Sequence, residues 1–317
     1  MLAVDARLME RVLITGASGL LGGNLVHVFS RKYDVVASSW GHELDGERYR
    51  SLRFDITDPA ETMRAVMESA PDTIVHCAAE TGVDLCQRDP EHARRVNVEG
   101  TANVVAAANA AGAVLVYIST DGVFDGLRGN YAETDSPAPV NVYAQTKLEG
   151  EGLVRQDIPA HLIVRTSFYG WSTSGTRSLA EWVRERAREG DAVPGWTDVF
   201  FSPILATDLG EAVQEALERG LRGTYHAGGS ERCSKFEFAR QVCAVFGYDP
   251  SLVQAASVQD AALSAPRPHD TSLDVGQLAK DLGRGLPGLQ EGLERLRDQE
   301  REYVPLLRSL VRATGGA

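Results

Sequence analysis

The sequence predicts an α/β protein: a doubly wound parallel sheet followed by a smaller C-terminal domain. Three observations carry that prediction. A short apolar run, Arg11-Val-Leu-Ile-Thr15, leads straight into the glycine turn Gly16-Ala-Ser-Gly19-Leu-Leu-Gly22-Gly23, and residues 24–29 continue with helical apolar spacing. Further strand-like runs alternate with helical ones, and Val114-Leu-Val-Tyr-Ile118 is apolar throughout, as a strand covered on both faces should be. The alternation then loosens after residue 167. Residues 1–167 are therefore expected to form the sheet domain, completed by parts of 200–226, with 168–199 and 227–317 building the second one.

Composition bounds what such a chain can do. With 317 residues, 43% of them apolar and 24% charged, it can bury a substantial core. A net charge of -12 with no basic stripe speaks against a nucleic-acid surface, and no run is long enough to span a membrane. Residues 1–11 are mixed and charged, without a signal-peptide apolar region. The four cysteines, Cys77, Cys86, Cys233 and Cys243, form no C-x-x-C pair and no zinc-type cluster, so they read as reduced thiols in a cytoplasmic protein.

Taken in order, the glycines come first. Spaced G-x-x-G-x-x-G between a strand and a helix, they allow a tight turn, close backbone approach to a pyrophosphate, and helix–strand packing. The helix start supplies N–H groups to the anion. The second strand, Tyr33-Asp-Val-Val-Ala37, ends in Ser38-Ser39-Trp40-Gly41-His42, where an NAD-selective site usually places a carboxylate for the ribose 2′-hydroxyl. Here the first carboxylate is Glu43, so nothing repels a 2′-phosphate, and Ser38, Ser39 and His42 are donors for one. No Arg stands at that strand end, which leaves a leaning to NADP(H) over NAD(H).

Leu52-Arg-Phe-Asp55-Ile56-Thr-Asp58-Pro59 reads as a third strand and turn, with Asp55 either accepting from an adenine amino group or capping the next helix. Thr73-Ile-Val-His76-Cys77-Ala78-Ala79 is a fourth strand that ends in small residues, leaving room for a cofactor. His76 reads as an interior histidine. A helix over 91–111 carries Asn97 within an otherwise apolar face. The fifth strand delivers Ser119-Thr120-Asp121, whose hydroxyls can meet a downstream side chain over one substrate oxygen; for Ser119 alone, a turn-closing role is the alternative.

That downstream side chain is Tyr143. In Val140-Asn-Val-Tyr143-Ala-Gln-Thr-Lys147 the Tyr and Lys lie nearly one helical turn apart on the same face. An ammonium beside a phenol favours phenolate and is expected to lower the Tyr143 pKa toward working pH. Such a Tyr can protonate a carbonyl oxygen as hydride arrives. Beyond it, residues 161–170 read as a sixth strand, 179–189 as an amphipathic helix, 200–204 as extended, 207–219 as helix, 224–227 as strand and 235–246 as a helix opened by Ser234. The Pro-rich stretch 265–274 reads as a loop, and 289–311 as one or two surface helices interrupted by Pro305.

Together Gly16/Gly19/Gly22, Asp55-Ile56, Ala78-Ala79, Asn97, Ser119-Thr120 and Tyr143…Lys147 resemble an extended short-chain dehydrogenase/reductase with a Rossmann-like sheet. Ser119-Thr-Asp-x-Val123-Phe124-Asp-Gly126, Pro139-x-Asn141-x-Tyr143, Arg165-Thr-x-x-x-Gly170 and Arg267-Pro-x-x-x-x-Leu273-Asp274 are similar to dTDP-4-dehydrorhamnose reductases. The resemblance implies an NAD(P)H-dependent reductase of the 4-keto group of a nucleotide-linked deoxysugar. Tyr143 would be the general acid, Lys147 would hold the nicotinamide ribose, and Thr120 would bond the carbonyl. Gly16, Ser18, Gly19, Leu20, Leu21, Gly22, Ser39, Asp55, Ile56, Cys77, Ala78, Ala79, Asn97, Ser119, Arg165 and Ser167 would line the cofactor. Thr81, Asp121, Val123, Phe124, Phe168 and Arg267 would face the nucleotide-sugar, with Arg165, Arg267 or Arg177 answering its charge.

The sequence departs from that family on the substrate side: the family commonly has a Tyr where Gly122 stands, often a Trp near the position of Phe168, and usually a Gly near Phe201. A dehydratase would want a carboxylate pair after Thr120, and Asp121-Gly122 does not supply it; an epimerase stays open. Relatives also include the non-catalytic regulatory subunit of methionine adenosyltransferase. Some relatives pair as dimers through C-terminal or metal-bridged contacts, so a homodimer is open, although no metal-ligand spacing is visible.

Overall fold

The computed structural model describes residues 10–45, 49–173 and 178–311. Its centre is a seven-stranded sheet whose first six strands are β1 (Arg11–Thr15), β2 (Asp34–Ser39), β3 (Arg50–Arg53), β4 (Thr73–His76), β5 (Val114–Ile118) and β6 (His161–Arg165). The strand Gly223–His226 completes it, in the order Gly223–His226, β6, β5, β4, β1, β2, β3, with every pairing parallel. The order reverses between β1 and β4, and that reversal opens a crevice at the carboxyl ends of the strands.

Helices on both faces make the strands' continuous apolar character necessary. The helices α1 (Leu20–Phe29) and Ala206–Glu218 cover one face through Leu21, Leu25, Phe29, Leu209 and Val213. On the other face α2 (Pro59–Ser69), α5 (Gly100–Ala111) and α6 (Val142–Asp157) pack through Val66, Val104, Ala108 and Val154 against Leu13, Ile74, Leu115 and Tyr117. No helix among the described residues is long and apolar enough to cross a membrane.

A second apolar cluster gathers the helices Leu179–Glu189, Lys235–Phe246, Leu289–Asp298 and Tyr303–Arg308. Two of them open with capping boxes, Ser178 with Glu181 and Ser234 with Glu237, each satisfying free N–H groups at the helix start. The C-terminal helices are not a surface layer: Leu289, Leu293, Leu296, Tyr303, Val304 and Leu307 are buried in this cluster. Pro305 does not interrupt them either. It is the third residue of the last helix, where no intrahelical N–H bond is lost.

The expected helix over 91–111 is present as one helical run from Pro90 to Ala111, with a π-helical turn inside it. After α3 (Val83–Arg88) come α4 (Pro90–Arg94), a π-helical turn Arg95–Glu99, and α5. That wide turn holds Asn97. A π turn inserted in a helix commonly marks a side chain placed for a purpose.

Candidate active site

The glycine turn is built as its spacing requires. Gly16 has φ +68, and a Cβ there would lie 2.7 Å from the Ala78 nitrogen. A Cβ on Gly22 would lie 2.2 Å from the Gly16 oxygen, so α1 can approach the turn only with glycine at that position. The start of α1, at Gly19, has no side-chain cap, which leaves its N–H groups for an anion. Ala17 N–H donates to the Ser38 carbonyl at 2.8 Å, tying the turn to the end of β2. Across the crevice, Thr15 Oγ1 accepts from the N–H groups of Cys77 and Ala78 at 3.1 and 3.2 Å, which draws the small residues after β4 against the turn. Those features fit a dinucleotide pyrophosphate.

His76 is the interior histidine the sequence implied. It is bonded to Thr15 and Thr101, and burial, with Lys147 nearby, lowers its pKa to about 3. It stays neutral and takes no part at the crevice.

The catalytic candidates meet where β5 ends and α6 begins. Asn141 caps α6 by accepting from Ala144 N–H at 3.0 Å, and its amide donates to the Pro266 carbonyl at 3.1 Å. Tyr143, Thr120, Asp121 and Ser167 all line one cavity of about 750 Å³. Burial pushes the Tyr143 phenol well above its ordinary value; the Asp121 carboxylate pushes the same way, and a hydrogen bond with Thr120 pulls against both. This corrects the expectation that Lys147 lowers it. Lys147 instead lies 4.0 Å over the ring of Tyr117, and burial lowers its own pKa to about 8. A phenol so placed is fully protonated at neutral pH, which is the form a proton donor needs.

Behind this pair lies a buried ionic cluster. Glu151, completely buried on α6, accepts from Ser119 Oγ at 2.6 Å, from Arg165 Nε and Nη2 at 2.9 and 2.8 Å, and from Arg155 at 3.0 Å. Asn97 forms a second brace. It accepts from Glu80 N–H at 2.8 Å and donates to the Glu80 carbonyl and to Thr146 Oγ1, each at 3.0 Å. Thr146 in turn donates to the Tyr143 carbonyl at 2.7 Å.

Several residues assigned from the sequence therefore sit elsewhere. Arg165 is 3% exposed and committed to Glu151, so it reaches neither cofactor crevice nor cavity. Ser119 spends its hydroxyl on the same carboxylate. Val123 and Phe124 are wholly buried, and Phe124 stacks on Tyr131 beneath the loop instead of facing a ligand. The Leu21 side chain belongs to the apolar core and that of Leu20 packs against it, while the backbone N–H groups of both stand at the uncapped start of α1. Phe168 also packs on that core, while Thr81 is solvent-exposed; neither lines the cavity. Asp55 accepts from Thr57 in a tight turn, and Asp58 caps α2, which removes the capping alternative for Asp55. Ser38 and Ser39 are buried, with the Ser39 hydroxyl donating to the His42 carbonyl. Arg267 does line the cavity, held by Asp84 at 2.7 Å. Arg177 lies outside the described residues.

The far wall was not visible in the sequence. Trp182, Trp196, Phe200 and Phe201 supply an aromatic surface, and Lys235 and Thr271 add polar groups. They come from segments joined only by tertiary pairing: the strand Val193–Trp196 pairs with Val253–Ala256, and Phe200–Phe201 pairs with Cys233–Ser234. Gly122 lines the same cavity, where a Cβ would lie 3.3 Å from Thr120 Oγ1 and 3.7 Å from Ala144 Cβ.

Sheet order, uncapped glycine turn and the Thr120–Tyr143–Lys147 constellation define an oxidoreductase of the extended short-chain dehydrogenase/reductase class. The chain belongs to the family described as RmlD substrate binding domain, whose model matches residues 9–302. A curated relative, the "Probable low-salt glycan biosynthesis reductase" of Haloferax volcanii, is 33% identical over 92% of this chain and 98% of its own. The methionine adenosyltransferase 2 subunit beta of Pongo abelii is 29% identical over 90% of this chain and 87% of its own. Among solved structures, dTDP-4-dehydrorhamnose reductase from Bacillus anthracis in complex with NADP superposes with a TM-score of 0.80. It is 32% identical over 92% of this chain and 99% of its own.

Proposed function

We propose that this protein is an NADP(H)-dependent reductase of the 4-keto group of a dTDP-linked deoxysugar. The observation that carries the reading is that Tyr143 and Thr120 together line a cavity of about 750 Å³, large enough for a nucleotide-sugar. The cofactor would lie along the crevice, its pyrophosphate on Gly16, Ser18, Gly19 and Gly22, its adenine near Asp55 and Ile56, and its nicotinamide ribose near Ala78, Ala79 and Lys147. When bound it supplies a hydride to C4 of the sugar. Thr120 holds the carbonyl oxygen, and Tyr143 gives its proton to that oxygen as charge develops there. Lys147, one helical turn beyond Tyr143, would hold the nicotinamide ribose. The C-terminal helices and the aromatic wall would form the substrate-binding domain.

Arg53 on the neighbouring strand supports the leaning to NADP(H). Pairing of β2 with β3 sets Arg53 opposite Ser39, and its guanidinium lies 5.3 Å over the exposed Trp40 ring. Its Nε donates to the Trp40 carbonyl at 3.1 Å, which leaves two amino groups for a 2′-phosphate. The reductase from Bacillus anthracis, a likeness in complex with NADP, supports cofactor and substrate class alike.

Following NADPH and NADH absorbance with enzymatically generated dTDP-4-keto-6-deoxy sugars tests the proposal. Cofactor oxidation with formation of the C4 alcohol is the expected result. Tight NADPH binding with no turnover on any such sugar would refute it. That outcome would favour a regulatory-subunit role, a reading prompted by the likeness to methionine adenosyltransferase subunit beta.

A further inference from the structure

We infer that Lys235 is the cavity's contact for an anionic group of the substrate, namely the phosphate attached directly to the sugar. The inference rests on the nucleotide-sugar reading above and adds to it the residue that reads the charge. Lys235 is the first residue of the helix Lys235–Phe246 and follows the short pairing of Cys233–Ser234 with Phe200–Phe201. Its backbone N–H is anchored on the Val199 carbonyl at 2.9 Å, and its ammonium lies 3.2 Å over the Phe201 ring, inside the cavity.

Among the described residues only two cations line the cavity, Lys235 and Arg267. Arg267 is already answered by Asp84 at 2.7 Å and by the Ala265 carbonyl at 2.8 Å. Lys235 forms no ion pair with a carboxylate among the described residues; its ammonium faces the Phe201 ring, and Phe200, Ala239 and Trp196 line the same cavity. An ammonium in such surroundings is costly unless a counter-charge arrives with the ligand. Asp121 does not fill that role: its two oxygens are taken by Thr271 at 2.7 Å and Thr120 at 3.2 Å. The helix start behind Lys235 is closed by its own capping box, so the side chain and not the helix end is the donor. Burial brings the lysine pKa down to about 8, with Asp121 drawing it back, so it remains mainly charged at neutral pH.

Position selects the phosphate. Lys235 is close enough to Asp121 to feel its charge, and Asp121 bonds Thr120. Lys235 lines the same cavity as Thr120 and Tyr143, and in a sugar nucleotide the anionic group joined to the sugar ring is the phosphate, so a sugar with its carbonyl at those hydroxyls brings that phosphate into the cavity with it.

Calorimetric titration of the full chain, saturated with NADPH, with dTDP, dTMP and thymidine tests this in wild type, Lys235→Met and Lys235→Arg. Wild type should bind dTDP more tightly than dTMP. Lys235→Met should lose about 10- to 100-fold of dTDP affinity and little for thymidine, while Lys235→Arg keeps most of it. Unchanged dTDP affinity in Lys235→Met overturns the inference and leaves the reductase reading standing. Equal losses for dTDP and thymidine also overturn it, because they report a collapsed pocket. If wild type binds none of the three, the nucleotide-sugar reading fails and this inference with it. Removing a half-buried ammonium that forms no ion pair among the described residues should leave the melting temperature of Lys235→Met equal or higher; should that variant not fold, Lys235→Gln takes its place.

Discussion

Glu151 is the residue whose loss should be felt most, and the reason lies in what it leaves behind. Its carboxylate is fully buried and collects Arg165 in two bonds, Ser119 in one and Arg155 in another. Burial alone would raise its pKa, but Arg165, Ser119 and Arg155 outweigh that and hold it below the usual 4.5. Glu151→Ala strands the Arg165 guanidinium, whose side chain is 4% exposed and whose Nη1 already has no partner. Breaking one side of a buried pair costs about 3–5 kcal/mol. At roughly 2 °C per kcal/mol for a chain of this length, the melting temperature should fall by about 6–10 °C. Scanning calorimetry at pH 7 measures it. The double variant Glu151→Ala/Arg165→Met removes both charges and should recover at least half of the loss. Acid dependence follows with the same sign. Because the folded pKa lies below the unfolded one, the carboxylate's contribution is complete above the unfolded value and is lost as pH falls through the folded value. Glu151→Ala should therefore lose less stability than wild type between neutral pH and acid. A fall under about 2 °C, or a double variant no better than the single one, would show that the cluster is not what holds β5, β6 and α6 together.

Tyr143→Phe removes the proton donor and should cut turnover roughly 10²- to 10⁴-fold, with NADPH affinity by fluorescence titration unchanged; normal turnover would rule out Tyr143 as the acid. Lys147→Met should weaken NADPH binding while raising stability at neutral pH, because the folded pKa of about 8 lies below the ordinary 10.5. Wild-type stability should accordingly climb from pH 8 to 10.5, where the unfolded chain holds the protons longer. Lys235 titrates alike, so Lys147→Met should show about half the climb in a pH series of thermal melts, and an undiminished climb would contradict the burial argument. Arg53→Ala should weaken NADPH by about 10-fold and NADH hardly at all, and equal effects on both would separate Arg53 from the 2′-phosphate.

Much of the sheet could be read from the chain because its signals are local. The strand–glycine–helix unit at 11–29 declares itself within twenty residues, and β5 shows double burial in its composition alone. The helices Leu179–Glu189 and Lys235–Phe246 begin where Ser and a Glu three residues later close a capping box. The tail misled because alternating apolar and charged residues describe equally a helix resting on the surface and one that covers a second core. Which of the two holds depends on Trp171, whose indole donates to the Leu296 carbonyl at 2.8 Å, and on Asn24, which receives the Tyr303 hydroxyl at 2.7 Å. Neither partner is near in sequence.

The site divides along the same physical line. A glycine that must accept φ > 0, or leave room for another backbone, is a property of its own position, so the cofactor crevice is legible. The aromatic wall is not, because Trp196 and Phe201 reach the cavity through pairings with Ala256 and Cys233, far along the chain. Arg165 teaches the more general point. An arginine at a strand's carboxyl end looks like a ligand contact, yet α6 carries Tyr143, Lys147 and Glu151 at successive helical turns, all facing the strand ends. The first two turns present a phenol and an ammonium near the crevice; the third, deeper, presents a carboxylate that needs a cation. Once that carboxylate is counted, Arg165 is its partner, and the charge a diphosphate requires must come from elsewhere, which in the described cavity means Lys235 or Arg267.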